Sequence, residues 1–135
     1  RTFITVDFRH PDDNVLSQMD RALRDSVAEI CDKSGLEYEL EQIFYYAPIP
    51  FDKGCVSAVR AGADKMGYSA REIVTGAGHD ACFIAQSAPT SMIFIPCIDG
   101  ISHNEVEDIK PEWATAGANV MLQAILEKAG VSEQP

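Results

Sequence analysis

Two histidines in polar, glycine-rich turns are the first residues of this sequence whose types and spacing suit chemistry. His79 sits in Gly76-Ala77-Gly78-His79-Asp80-Ala81, and His103 in Gly100-Ile101-Ser102-His103-Asn104-Glu105. Between them runs the apolar stretch Ser91 to Ile95, which reads as a buried strand. In α/β proteins the ends of such strands carry ligand sites. His103 falls just past the C-terminal end of this one, among Asp99, Ser102, Asn104, Glu105 and Glu107. A neutral imidazole there suits a metal ion, with nearby carboxylates to orient it. By spacing alone two isolated histidines are a weak metal signal, and satisfying turn backbone is an equally ordinary role. Gly76 and Gly78 let backbone N–H groups approach a ligand, beside a helix N-terminus that favours anions. Arg9 follows an alternating segment, where its planar fork suits a carboxylate; the ordinary alternative is a surface pair with Asp7 or Asp12. Cys82, three residues after His79, is the candidate nucleophile, but it lies in an apolar helical pattern where burial raises a thiol pKa.

The elements that must position these residues follow from periodicity. Ile4, Val6 and Phe8 alternate with Phe3, Thr5 and Asp7, the period of a strand over Thr2–Phe8. Asp12, Asp13 and Asn14 start a helix whose stripe is Leu16, Met19, Leu23, Val27 and Ile30 and whose stop is Gly35. Tyr38, Leu40 and Phe44 alternate with Glu37, Glu39 and Glu41, a second strand with one solvated face. Residues 2–47 therefore read as a β-α-β unit. Ala47-Pro48-Ile49-Pro50 is a stiff connector and sets a domain boundary, giving 1–50 and 51–135. In the second part Asp52 caps a helix with inner face Val56, Val59, Ala63 and Met66, ended by Gly67. A short helix begins near His79, Ser91–Cys97 is the strand, and Ile98 to Asp108 is too polar for core. Pro111 opens a last helix carrying Trp113, Val120, Leu122, Ile125 and Leu126 to about Ala129, before a frayed tail from Val131 to Pro135. The fold class expected is α/β, with an α+β first portion. A sequence already in a strand at Thr2, with no initiator methionine, is expected to be a fragment.

Composition narrows the partners. The 135 residues are 46% hydrophobic, enough for one core, with a net charge of −10. Residues 1–50 carry ten acidic and five basic side chains, and 51–135 carry eleven and six, so each part is −5. No cluster of Lys and Arg exists to neutralise phosphate, which argues against nucleic acid and anionic membrane surfaces. Nor is any apolar run long enough to span a bilayer. Cys31, Cys55, Cys82 and Cys97 are widely spaced without a C-x-x-C, which points to reduced thiols and a cytoplasmic protein.

The string GAGHDA…APTSMIFIP…DGISHNEVE resembles the C-terminal part of the hydantoinase/carbamoylase-type amidases. These are dinuclear metal amidohydrolases related to the aminoacylase and carboxypeptidase-like metallopeptidases. Thr5-Val6-Asp7-Phe8-Arg9-His10-Pro11 resembles a second motif of that family, in its smaller lid or dimerisation domain. The resemblance implies that residues 1–50 are the second half of a two-layer lid and 51–135 the C-terminal part of a mixed-sheet, metallopeptidase-like catalytic domain. It implies hydrolysis of a linear amide or ureido C–N bond in a carboxylate-bearing N-carbamoyl-amino acid, N-carbamoyl-β-alanine or allantoate. Two divalent ions, Zn, Mn, Co or Ni, would serve that chemistry. His103 matches a metal-ligand position and Arg9 and Gly78 match substrate-binding positions, while His79, Asp80, Asn104 and Glu107 are candidates for ordering the loop or for hydrogen-bonding around the metal ligand. No residue here matches a catalytic acid or base. The remaining ligands lie upstream of the matched region in that family, so the chain alone is expected to hold the metals incompletely and to be inactive. Glu105 departs from the family, which commonly has proline there. Homodimerisation through the lid is implied as well. The rival reading is a non-catalytic dimerisation or assembly module.

Overall fold

The computed structural model describes residues 1–130, and the tail read as frayed lies outside the described residues. Four helices form: α1, Asp13–Ser34; α2, Lys53–Lys65; α3, Asp80–Ile84; and α4, Pro111–Ala129. A 3₁₀ turn spans Ile98–Gly100. The chain divides into two compact units. One comprises Arg1–Ile49 with Val74–Ala77; the other comprises Pro50–Ile73 and the chain from Gly78 onward.

The first unit is built on α1. Asp12 caps it, its carboxylate accepting the N–H of Asn14 at 2.8 Å and of Val15 at 3.4 Å. Gly35 ends it in the left-handed region at φ 65°, with its N–H and that of Leu36 returned to the last carbonyls of the helix. The stripe Leu16, Met19, Leu23 and Val27 is half-buried, while Ile30 is exposed.

The second unit is held by α2 against α4. Asp52 caps α2 through Cys55 N–H at 2.8 Å, and Pro111 occupies the first turn of α4. The packed faces keep Ala63 and Val120 of the stripes expected but otherwise differ from them. Ala58, Gly62 and Ala63 of α2 are buried against Val120 and Ala124 of α4, with Ala58 only 1% exposed. Met66, Leu122, Ile125 and Leu126 are exposed instead. Small residues let two helix backbones approach closely, and that close crossing outweighs the larger but more distant burial of the bulky stripe.

The described residues are helical and form no strands, so the sheet of the α/β expectation is not seen in them. Residues 2–8, 38–44 and 91–97 enter no ladder; Phe3 is 90%, Phe44 76% and Phe94 45% exposed, while Ile95 packs against Gly117 of α4. Alternation defines the two faces of a strand but not the neighbour that must accept its N–H and C=O groups. No such neighbour lies alongside these segments among the described residues.

Candidate functional site

Arg9 and the Gly76 turn come together in the first unit. The Arg9 guanidinium donates Nε–H and Nη2–H to Asp7 Oδ2 at 2.9 and 2.6 Å, and Nη1–H to the Gly76 carbonyl at 2.7 Å. The Asp7 bonds hold its carboxyl below the usual carboxylate range and raise the guanidinium further. Of the two surface partners open to Arg9 in the sequence, Asp7 is therefore the one engaged. The bond to Gly76 spans 67 positions and leaves no signal in the sequence. His10 Nδ1 accepts the N–H of Asp12 at 3.0 Å, beside the helix cap.

In the second unit, Gly78 and His79 lead into α3. A Cβ built on Gly78 would meet nothing within 4 Å, and Gly78 is not in the left-handed region. Neither crowding nor a left-handed backbone therefore requires glycine at this position. His79 occupies the N-cap of α3 without a side-chain capping bond, its ring edge-on to Phe94 at 5.5 Å between centroids. Asp80 stands exposed in the first turn.

Residues 98–108 form a closed loop. Ile98 N–H donates to the Asp108 carbonyl at 2.8 Å, pinning its two ends. Asp99 and His103 both take left-handed backbone, at φ 55° and 56°, which is uncommon for residues with a side chain. Glu107 is the hub. Its Oε2 accepts the His103 backbone N–H at 2.9 Å, and its Oε1 accepts the Cys97 thiol at 3.6 Å. Partial burial, then the Glu107 carboxylate, push the Cys97 thiol above its ordinary range. Asn104 turns the loop tip, its Oδ1 accepting from Val106 N–H at 3.1 Å and its carbonyl from Glu107 N–H at 3.0 Å. The His103 imidazole is exposed, and neither ring nitrogen has a hydrogen-bond partner among the described residues. It fits one place in a metal's donor set. No group of three or more His, Cys, Asp or Glu among the described residues gathers to complete such a set. The structure thus joins His103, Asn104 and Glu107 in one loop and brings in Cys97, whose role sequence reasoning missed.

Comparison with known proteins follows the same residues. The profile of peptidase family M20/M25/M40 matches residues 4–127. An N-carbamoyl-L-amino-acid amidohydrolase of Rhizobium meliloti is 44% identical over 133 residues, 98% of this chain and 32% of that protein. An allantoate amidohydrolase of Escherichia coli K12 is 36% identical over 107 residues, 79% of this chain and 26% of that one. The crystal structure of a hydantoinase/carbamoylase-family amidase from Burkholderia multivorans superposes with a TM-score of 0.87 at 64% identity, covering 92% of this chain and 30% of that one. The chain spans about a third of the length of these relatives. No described helix is long and apolar enough to cross a membrane.

Proposed function

The chain belongs to peptidase family M20/M25/M40, and on that premise we propose that it serves a metal-dependent amidohydrolase acting on the linear C–N bond of an N-carbamoyl-amino acid. The observation that carries this reading is the 44% identity, over 133 residues, to an N-carbamoyl-L-amino-acid amidohydrolase. Residues 1–50 would belong to the lid of the intact enzyme and 51–135 to a mixed-sheet catalytic domain, with the segments 2–8, 38–44 and 91–97 becoming strands there. That enzyme would act in the cytoplasm.

Each candidate residue has a role its geometry allows. Among the described residues neither imidazole nitrogen of His103 has a partner, so one can bind a metal while the other takes an outer hydrogen bond. When bound, a pair of divalent ions such as Zn, Mn, Co or Ni supplies a Lewis acid and an activated water. Arg9 holds the substrate carboxylate through guanidinium N–H groups beyond those given to Asp7 and Gly76; five are available on the side chain. Gly78, open on its Cα side, lets the substrate lie against the chain. Asp80 and His79 shape the start of α3, and Asn104 and Glu107 keep the His103 loop closed. The test is hydrolysis of N-carbamoyl-amino acids, allantoate and dipeptides by the whole enzyme, before and after chelation and with each metal restored. Hydrolysis of dipeptides alone, or full activity after chelation with no metal in the protein, would overturn the proposal.

Assembly is a compatible second role. The exposed Phe3, Ile4, Ile43 and Phe44 of the first unit favour burial against further protein. A homodimer through the lid is the form proposed, and light scattering of the intact enzyme tests it.

A further inference from the structure

We propose that Glu107 is the positioning residue that sets the aim of His103, acting together with the Cys97 thiol. The inference rests on the reading of His103 as a metal ligand. A single carboxylate joins two separate parts of the loop. One oxygen takes the N–H of His103 itself at 2.9 Å; the other takes the Sγ–H of Cys97, which precedes the 3₁₀ turn, at 3.6 Å. The main-chain bond from Ile98 to Asp108 closes the base of the same loop, and Asn104 turns its tip. Between these anchors His103 holds φ 56°, a conformation an L-residue adopts only when its surroundings impose it. The bond to its amide is the direct tie between this backbone and another side chain. Rotation about φ and ψ of His103 would swing the imidazole through several ångströms, far more than a metal–nitrogen bond tolerates. Glu107 need not touch metal or substrate to matter. Its carboxylate fixes the backbone from which the ligand projects, ahead of metal arrival.

The test uses the whole enzyme. Glu107→Ala should weaken binding of one Zn²⁺ about 10–100-fold in competition with a chromogenic chelator, the range typical of outer partners of a metal ligand. In the metal-free protein it should also speed hydrogen exchange of the peptide containing His103. Glu107→Gln keeps an acceptor for the His103 amide and a donor for the Cys97 sulfur, so both readouts should return close to wild type. Glu107→Asp, whose carboxylate is one methylene shorter, cannot span both partners and should behave like the alanine variant; it decides the matter if Glu107→Ala does not fold. Cys97→Ala should shift both readouts in the same direction by less. Wild-type affinity and exchange in Glu107→Ala or Glu107→Asp, while His103→Ala loses a metal, would overturn the positioning role alone. Full metal occupancy in His103→Ala would overturn the ligand reading and this inference with it.

Discussion

Replacing Gly62 with alanine sets two effects of opposite sign against each other. In an exposed helix interior the change stabilises by about 0.8–1.0 kcal/mol, because glycine surrenders more backbone freedom than alanine. Gly62, however, lies where α2 crosses α4. A Cβ there would stand 3.0 Å from the Val120 carbonyl oxygen, 3.2 Å from Gln123 Cβ and 3.6 Å from Ala124 N. The first and third contacts are main chain of α4, and the second is a Cβ, so no rotamer change removes them. The helices must separate by a few tenths of an ångström, which loosens Ala58, Ala63, Val120 and Ala124 together. Overpacking of this kind costs about 1–3 kcal/mol. Subtracting the propensity gain leaves a net destabilisation of about 0–2 kcal/mol. Gly54→Ala is the matched control. Its Cβ would meet the tips of Lys128, at 3.0 Å, and Asp52, at 3.1 Å, which move aside more readily than a helix backbone. Urea unfolding of both variants and the parent chain, followed by circular dichroism, measures the difference. Gly62→Ala should be the least stable of the three. A Gly62→Ala chain more stable than the parent by about 1 kcal/mol would refute the close crossing, because propensity would then act alone.

Three further outcomes are expected. In the whole enzyme Arg9→Lys should raise KM for carboxylate-bearing substrates with little change in kcat, because a point-charge ammonium cannot reproduce the guanidinium fork; unchanged kinetics would leave Arg9 a surface partner of Asp7. His103→Ala should abolish turnover and lower metal content by one ion while far-UV dichroism stays unchanged, since the side chain is exposed and its loss opens no cavity. The backbone N–H of Cys55 holds the Asp52 carboxyl below its ordinary 3.8, so its stabilisation is complete above that value and drains as the pH falls through the depressed folded value. Asp52→Asn keeps a capping acceptor without the charge. The stability gap between parent and variant should therefore narrow as the pH falls below about 4, and a gap independent of pH would refute it.

Local chemistry made the helices legible without any structure. Asp12, Asp52 and Pro111 start α1, α2 and α4, and Gly35 closes α1, because caps and stops act within a few residues of themselves. The two motifs around Arg9 and His103 were equally local, and the family followed from them. What the sequence left open depends on partners. The alternating segments at 2–8 and 38–44 have strand character but no ladder among the described residues, since pairing belongs to two segments and alternation to one. On the buried faces of α2 and α4 the expected Ala63 and Val120 are joined by the small residues Ala58, Gly62 and Ala124, while Met66, Leu122, Ile125 and Leu126 of the bulky stripes stay exposed, because close approach rewards what is absent from a side chain. The Arg9 bond to the Gly76 carbonyl, and the Glu107 link from Cys97 to the His103 amide, exist only once the chain has turned back on itself. Residue type and spacing singled out which groups were candidates for chemistry. Tertiary structure decided which of them face one another, because a hydrogen bond is set by distance in space and not along the chain.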